Sequence, residues 1–564
     1  MASGDVVKRV YSGFRGVDFR GEEINLVRSP DSLNMWKDYK ETESIRTRPK
    51  MKDVLSFDNP IYGVFFYKAG SSDMMIVHSG TELYKVINGE KTLLYSGVKT
   101  ARSSAFIFNN NCFFIDGEHY LKYDGANIGD VVGAIPTTSI ARKPEGGGTI
   151  SQDVNILSDY CKNTFVGDGD STEFHLDAQD LDDELPEVTV VDKDGNTSTA
   201  KVSSFDRAKG IVTLASAPTG PATEGQANVT IQFKKTVKNK ERILKCTMVE
   251  VFDNRVFFSG NPDDPNAIRH SSLEDPTYFS TLDYYYEGLD TARVKGMVAG
   301  NNALWVFKEP SQANTTVFYH TPTIDSEYGK IYPNTHSSIS TGCIGKAINF
   351  NDDIVFFSDR GMEGISGDVT SEQVISHRST LVDRKMIAEP DYEDMILEEW
   401  EGYLVVIIGN KVYLADSRAM FQNESHYEYE WFYWELSQKV NCARVSKGVL
   451  YLGTDDGVYS LTDTEGELES YWVTPKDKFN HPQYQKTTNK RGCVVEAKGD
   501  ISVYTKTEKS EFEHIGSYEN VEDAFVSRIK RKKFKDIQLK FHSGTRFSLE
   551  TATLECFIGG YIKR

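Results

Sequence analysis

Residues 251–259 read Val-Phe-Asp-Asn-Arg-Val-Phe-Phe-Ser, in which a turn of Asp and Asn separates two apolar runs. Asn, Asp and Gly between two such runs are typical of a tight β-hairpin, because they tolerate the left-handed backbone conformation that the turn requires. Similar segments recur along the chain, at 108–115, 299–307, 350–358, 400–407 and 445–452, with a looser copy at 66–77. The sequence therefore predicts a hairpin that repeats.

The copies are spaced at intervals typical of propeller blades. If Phe257, Trp305, Phe356, Val405 and Leu450 are equivalent, the intervals between them are 48, 51, 49 and 45 residues. A small sheet cannot bury its apolar face alone, and closing several sheets into a ring hides those faces and protects the edges. We therefore predict an all-β chain built around a β-propeller of about six to eight blades.

One interval is too long for a blade and indicates an insertion. Phe113 and Phe257 are 144 residues apart, and short β-branched runs alternate with turns in the segment between them, which favours a small β-sandwich. The predicted organisation is an N-terminal arm (1–55), first propeller blades (56–148), an inserted β-sandwich domain (149–240), remaining blades (241–465) and a C-terminal β-domain or closing blade (466–564).

The predicted arm carries no clean hairpin, only isolated apolar anchors such as Phe14, Val17 and Trp36. Two interpretations remain open at this stage. The arm packs either on a neighbouring copy or on its own propeller. Weak helical patterns are confined to residues 376–386 and 29–38, and neither segment has a convincing cap.

Composition excludes several classes of protein. The 564 residues carry a formal net charge of -19, which argues against tight binding to nucleic acid through phosphate contacts but is compatible with a channel wall that DNA slides past. The seven cysteines are scattered without a CxxC pair, so we expect them to be reduced and buried. Nowhere are there 18 consecutive apolar residues, and the N-terminal residues do not read as a signal peptide. We expect a protein made in the cytoplasm, with no membrane anchor.

No catalytic motif stands out in the sequence. The GxSxG, HExxH and P-loop patterns are missing, and the eleven histidines are dispersed. We therefore predict no catalytic residues, no cofactor and no metal, and a protein that is not an enzyme. The carboxylate pairs Glu398–Glu399 and Asp263–Asp264 leave a propeller hydrolase open as an alternative, because glycosidases use two acids across a cleft.

Two stretches are candidate interfaces. The first is the basic run 528–535, from which Arg528, Lys530, Lys532 and Lys533 could dock an acidic partner or a DNA backbone. The competing interpretation is a solvated edge that prevents aggregation. The second stretch is the aromatic run 427–434, in which we expect one face to be buried and the other to lie at an interface. Its candidate residues are Trp431 and Trp434, which serve either as subunit anchors or as a platform for sugar rings.

Three segments resemble tail structural proteins of tailed bacteriophages. The first is Ser29–Trp36 followed by Ile45–Pro49; the second is Asn254–Pro262 continuing to Ser271–Phe279; the third is Phe165–Phe174. The first is similar to the opening of phage propeller proteins, the second to a blade of the same group, and the third to the start of sandwich domains inserted in virion proteins. The chain departs from that pattern at Lys50, where the family usually continues with Gly.

The resemblance is to the propeller found in tail hub or nozzle rings and in head-to-tail closure proteins. It implies a non-enzymatic virion protein of the tail, assembled in the cytoplasm of the host bacterium, that forms a homo-oligomeric ring, usually a hexamer. The implied partners are portal and adaptor proteins, tail fibres or other tail proteins, and genomic DNA that passes without sequence-specific binding. The ring would line or gate the DNA exit channel. The alternative is a peripheral tail protein that binds a host surface glycan through propeller aromatics.

Overall fold

The computed structural model describes residues 6–21, 24–40, 44–69, 72–312, 315–326, 329–366, 374–423 and 426–561. Its regular structure is almost entirely β, as predicted. The helices of this part of the chain are α1 (Glu241–Leu244), α2 (Asp383–Met386) and a 3-10 turn (Tyr392–Asp394), and none is long and apolar enough to cross a bilayer. The helix α2 falls within the weakly helical segment 376–386, whereas the helical pattern at 29–38 is wrong.

The N-terminal residues are not an irregular arm. They contain short strands: β1 (Val6–Tyr11), β2 (Gly16–Val17), β3 (Arg28–Ser29), β4 (Ser32–Leu33), β5 (Met35–Lys37), β6 (Ile45–Thr47) and β7 (Lys50–Ser56). The strands β5 and β6 pair antiparallel, and β4 pairs with residues 471 and 472 near the other end of the chain. The 29–38 segment is therefore extended, because its backbone groups bond to strands rather than to each other.

Two four-stranded antiparallel sheets follow. Sheet S1 consists of β8 (Ile61–Ala69), β9 (Ser72–Ser79), β10 (Glu82–Ile87) and β11 (Glu90–Ser96). Sheet S2 consists of β12 (Ser104–Phe108), β13 (Asn111–Ile115), β14 (Tyr120–Tyr123) and β15 (Ile128–Asp130). In S2, Asn109 and Asn110 hold positive φ angles of 46° and 59°, so the predicted Asn turn forms the hairpin between β12 and β13.

The inserted segment forms two sheets that share one hydrophobic core. Its strands are β16 (Thr137–Arg142), β17 (Thr149–Ile150), β18 (Tyr160–Phe165), β19 (Glu173–His175), β20 (Glu187–Val191), β21 (Thr197–Ala200), β22 (Val202–Asp206), β23 (Ile211–Leu214) and β24 (Val229–Lys234). One sheet has the order β17-β16-β18-β24-β20-β21, and the other has the order β19-β23-β22. Phe165 of the first and Phe174 of the second pack edge to face in the shared core. The unit begins at β16, earlier than the predicted residue 149, because β16 pairs with β18.

Beyond the insertion the chain returns to four-stranded sheets. S3 contains β25 (Met248–Phe252), β26 (Arg255–Ser259), β27 (Ala267–His270) and β28 (Tyr284–Tyr286). S4 contains β29 (Val294–Gly300), β30 (Ala303–Lys308), β31 (Val317–His320) and, after the hairpin β32 (Thr323–Asp325) and β33 (Gly329–Ile331), β34 (Asn334–His336). S5 contains β35 (Ala347–Phe350), β36 (Asp353–Ser358), β37 (Gly361–Ser366) and β38 (Val374–His377).

The last two of these sheets complete the series. S6 contains β39 (Ile396–Trp400), β40 (Tyr403–Ile408), β41 (Lys411–Asn423) and β42 (His426–Glu435). S7 contains β43 (Cys442–Ser446), β44 (Val449–Gly453), β45 (Gly457–Asp463) and, as its fourth strand, β7 from the N-terminal segment. The fourth strand is placed by its pairing with β45, in which Leu55 lies opposite Val458. Of the two alternatives left open for residues 466–564, the closing blade is therefore wrong, because an early strand occupies that place.

The sheets S1–S7 follow one another in a propeller-like ring. Neighbouring sheets share hydrophobic clusters: Tyr67 of S1 packs with Tyr123 of S2, and Leu55 of S7 clusters with Ile61 and Met75 of S1. The last contact joins the two ends of the series. Apolar faces that a single sheet would leave exposed are thus buried between sheets.

The C-terminal residues form a separate sheet with long strands. Its members from this segment are β46 (Ser470–Val473), β47 (Tyr484–Thr507), β48 (Glu513–Val521), β49 (Ala524–Ser527), β50 (Lys533–Phe534), β51 (Ile537–Ser543) and β52 (Phe547–Tyr561). The strands β1, β4, β5 and β6 join the same sheet. The N-terminal segment therefore packs on its own chain, where Arg28 pairs with Glu430 of S6 at 2.8 Å.

Candidate functional site

The basic run 528–535 is mostly a loop on the C-terminal sheet. Only Lys533 and Phe534 are in a strand, β50. Ile529 and Phe534 are 2% and 1% exposed and anchor the loop in the core. The hydroxyl of Thr488 donates to the carbonyl oxygen of Lys530 and accepts from the backbone N–H of Lys532. The loop is thereby held in one conformation.

The conformation of the loop also depends on a glycine. Gly492 has φ +84°, and a Cβ atom there would collide with the backbone of Ser527 and Arg528. The positive φ angle and the close backbone of the neighbouring strand both favour glycine over any residue with a side chain at this position. The close approach lets β47 pass directly beneath the start of the loop, where Cys493 pairs with Ser527.

The cations of the loop are mostly free to meet a partner. Lys532 is the exception, since its Nζ lies 2.6 Å from Glu513 and this hydrogen bond holds the pKa of that carboxyl below its usual range. Arg528, Lys530 and Lys533 are exposed and make no ion pair with the part of the chain that the structure describes. The structure thus brings the four predicted residues together but leaves only three of them uncompensated.

Beside the loop, the solvent side of the C-terminal sheet carries a row of β-branched residues. Val526 of β49 lies opposite Val494 of β47, which lies opposite Thr553 of β52, which lies opposite Val10 of β1. Directly opposed residues point to the same face of a sheet. The three valines are 50%, 40% and 46% exposed. The row crosses four strands without a charge.

A second row runs parallel to the first. Lys533 of the basic loop lies opposite Thr487, which lies opposite Phe557, which lies opposite Val6. Val6 is 56% exposed. We call the two rows with their basic loop the outer face. Between the two rows lie the exposed Lys8 of β1 and its cross-strand neighbour Glu555 of β52, so the outer face combines exposed valines with charged side chains.

The two rows could not be found from the sequence. Val10, Val494, Val526 and Thr553 are separated by up to hundreds of residues, and only the register of β1, β47, β49 and β52 makes them neighbours. The basic run was the one visible signal, because six of its eight residues are Lys or Arg.

The tryptophans of the aromatic run are buried and do not form a surface platform. Trp431 and Trp434 are both 0% exposed. The indole N–H of Trp434 donates to the carbonyl oxygen of Met35 at 3.1 Å, and that of Trp431 donates to the carbonyl oxygen of Arg378 at 3.1 Å. The expectation that one face of this run lies at an interface is wrong for these two residues, because the N-terminal segment covers β42.

The first strands of the sheets surround an axial channel. Residues of β8, β12, β25, β35, β39 and β43 line a cavity of about 560 Å³, which continues into one of about 740 Å³ where these strands begin. Arg102 crosses this end of the channel. Its Nε donates to the carbonyl oxygen of Asn441 at 2.9 Å and both Nη atoms donate to that of Asp394 at 3.1 Å. Because one arginine side chain reaches from the start of S2 to the starts of S6 and S7, this end of the channel is too narrow for a DNA duplex.

Charged side chains in the channel wall have shifted pKa values. Burial, together with the positive charges of Arg102 and Lys295, lowers the pKa of Lys346. Burial raises the pKa of Glu250 to about 7, although the backbone N–H of Ala299 donates to its carboxylate at 3.3 Å and partly offsets that effect. The channel wall therefore holds a carboxyl group whose pKa is raised to about 7.

Three carboxylates of the two pairs considered for hydrolysis contact separate cations. Asp263 pairs with Lys245 at 2.5 Å and Asp264 with Arg269 at 2.8 Å. Glu398 faces Arg444 at 3.5 Å, and burial raises the pKa of Glu398.

Within the described ranges, no group of three or more His, Cys, Asp or Glu residues is placed to hold a metal ion. All seven cysteines are free and buried, as expected.

No family model matches the chain, and no curated protein matches it. Among solved structures, the chain is similar to BamB from Moraxella catarrhalis, at 10% identity and TM-score 0.33 over 73% of this chain and 96% of that one. It is also similar to the computationally designed protein Ika8, at 10% identity and TM-score 0.32 over 73% and 99%, and to Hsv2 from Kluyveromyces lactis, at 11% identity and TM-score 0.24 over 68% and 98%.

These scores are too low to support an argument, so the fold class rests on the strand pairing itself. The class is an all-β protein with a propeller-like ring of four-stranded sheets, an inserted two-sheet unit and a large terminal sheet.

Proposed function

We propose that this protein is a non-enzymatic structural protein of a bacteriophage tail, of the hub, nozzle or head-to-tail closure type, that assembles into a homo-oligomeric ring. We further propose that S1–S7 are the blades of a seven-bladed propeller closed by β7. The observation that carries the proposal is the outer face, with its exposed valines and basic loop, which the described residues of the chain leave uncovered. The resemblance of segments such as Phe165–Phe174 to phage tail proteins supplies the biological setting.

In this proposal the path for DNA is the axis of the assembled ring and not the channel of one copy. Arg102 spans the channel of a single copy, so only an opening enclosed by several copies can admit a duplex. The net charge of -19 supports such a path, because a negative wall repels phosphates and does not retain them. Portal, adaptor and other tail proteins would meet the ring at its ends.

The residues proposed for the alternative function, glycan binding at the tail periphery, are buried. Trp431 and Trp434 have no exposed ring to stack on a sugar. The hydrolase alternative loses the pair Asp263–Asp264, since the two carboxylates contact different cations.

The test is the symmetry of the purified full-length protein by negative-stain electron microscopy, together with its mass by analytical ultracentrifugation. We expect a closed ring whose axial opening is wide enough for duplex DNA, and its presence in purified particles. A protein that stays monomeric at tens of micromolar and does not enter particles would contradict the proposal.

A further inference from the structure

The inserted unit carries a segment whose charge is opposite to that of the basic loop. Residues 177–187 read Asp-Ala-Gln-Asp-Leu-Asp-Asp-Glu-Leu-Pro-Glu, with six acids and no base. The loop 528–535 has six bases and no acid. Because the whole chain has a net charge of -19, it would carry -25 without these six cations, so the loop is a local exception on an acidic protein.

The acidic segment is held firmly and presents its charges to solvent. Leu181 is 5% exposed and anchors it in the core of the inserted unit. The carboxylate of Asp182 accepts hydrogen bonds from the backbone N–H of Thr236 at 2.6 Å and from its hydroxyl at 2.8 Å. Asp177, Asp183 and Glu187 remain exposed. A segment ordered in this way loses little conformational freedom on binding.

The segment also presents an apolar side chain. Leu185 is 70% exposed and lies between Glu184 and Glu187. This arrangement matches the outer face, where apolar rows adjoin basic residues. A leucine within an acidic rim complements valines within a basic rim in both polarity and charge.

The two surfaces do not meet within one copy of the chain. In the described residues, the acidic segment pairs with Arg207 and Lys234 of its own unit, and the basic loop pairs with Glu513 of the C-terminal sheet. A contact between two different surfaces of identical chains is heterologous and generates a ring when the rotation between copies closes.

We propose that the acidic segment 177–187 of one copy docks on the outer face of the next copy and that this contact builds the ring. Leu185 would lie on the row formed by Val526, Val494 and Val10. Arg528, Lys530 and Lys533 would face the carboxylates. This inference rests on the proposed ring and adds which surfaces form it.

The test is a charge-reversal experiment on the full-length protein. Variant A carries Arg528→Glu, Lys530→Glu and Lys533→Glu. Variant B carries Asp177→Lys, Asp183→Lys and Glu187→Lys. The matched control for variant A reverses the same amount of charge elsewhere, with the changes Lys68→Glu, Lys193→Glu and Lys201→Glu. Far-UV circular dichroism and thermal midpoints establish that each variant folds.

We expect A and B each to weaken self-association at least tenfold in sedimentation velocity, because like charges then face each other in every contact. An equimolar mixture of A and B restores the ring, since the reversed surface of each variant faces its complement in the other. The control for A assembles as the wild type does. Raising the salt concentration weakens wild-type assembly, because exposed charges are screened over about 10 Å at 0.1 M.

The outcomes separate this inference from the proposed function. If the wild type forms rings and A and B do so equally well, the docking contact is refuted while the ring stands. If only A loses assembly, another partner of the outer face, such as DNA or a different surface, replaces segment 177–187 and the inference also fails. A wild type that is monomeric throughout refutes both proposals.

Discussion

Replacing Glu250 by Gln should stabilise the protein at alkaline pH and have little effect in acid. The carboxyl group lies in the wall of the axial channel, where burial raises its pKa from 4.5 to about 7. The folded state thus holds this proton more tightly than the unfolded state. The stability that the protonated group supports is fully present below pH 4.5 and is lost as the pH rises through about 7.

The size of the effect follows from the pKa difference. A shift of about 2.5 units at 1.36 kcal/mol per unit is roughly 3 kcal/mol, all of it lost by pH 8.5. At pH 5 the loss is below about 1 kcal/mol, because the unfolded carboxyl is only partly ionised there. Gln keeps the oxygen that accepts from the backbone N–H of Ala299 and removes the charge. The variant should therefore gain about 3 kcal/mol at pH 8.5.

Differential scanning calorimetry at pH 5.0 and pH 8.5 measures this difference. With an unfolding entropy of about 2.1 cal/mol/K per residue, 3 kcal/mol raises the midpoint of the whole chain by roughly 2 to 3 °C. Glu399→Gln is the control, because Glu399 is an exposed carboxylate on β39, another strand whose residues line the channel. Equal midpoint differences at both pH values, or a Glu250→Gln variant that is less stable at pH 8.5, would refute the reasoning.

Three other predictions concern stability and are checked by the midpoint of urea unfolding followed by tryptophan fluorescence or circular dichroism. Trp434→Ala should lower the free energy of unfolding by about 3–5 kcal/mol, because the ring is fully buried against Trp36. A midpoint near that of the wild type would contradict this burial. Leu55→Ala should lower the free energy of unfolding by about 2–3 kcal/mol, because Leu55 packs in the cluster that joins S7 to S1. Val54→Ala, at an exposed position of the same strand, should leave it nearly unchanged. Arg378→Gln should cost about 3–5 kcal/mol because it leaves the buried Asp353 without its cation, while Asp353→Asn with Arg378→Gln should recover part of that loss.

The repeated hairpins were readable because their determinants are local. Asn109–Asn110, Asp253–Asn254, Asn301–Asn302 and Asn351–Asp352 all have positive φ angles, as the turns predicted from the sequence require. Such turns depend on two central residues and on the apolar runs beside them. The same holds for the inserted unit, whose short strands separated by turns were predicted from the sequence.

The closure of the ring could not be predicted from the sequence, because it pairs residues that are far apart in the chain. Leu55 lies opposite Val458, and no local pattern specifies that partner. The boundary predicted at residue 55 separated β7 from the sheet to which it belongs. The start of the inserted unit was missed for a similar reason, since β16 is recognised only through its pairing with β18.

The aromatic run shows how burial depends on the rest of the molecule. A strand at the edge of a sheet is exposed unless another segment covers it, and β42 is covered by residues that begin some 400 positions earlier, including Met35. The clustered rings were a sound sign of an unusual environment. The sequence of the run does not indicate whether the segment that covers β42 belongs to the same chain or to a partner.

The sequence by itself determined the all-β class, the repeating hairpins, the presence of an insertion and the basic run 528–535, because each of these depends on residues close together in the chain. The tertiary structure alone decided which strand completes S7, that Trp431 and Trp434 are buried, and that Val10, Val494 and Val526 form one exposed row. Those features arise from strand register between distant segments, and register is set by the burial of whole sheet faces and not by local preference.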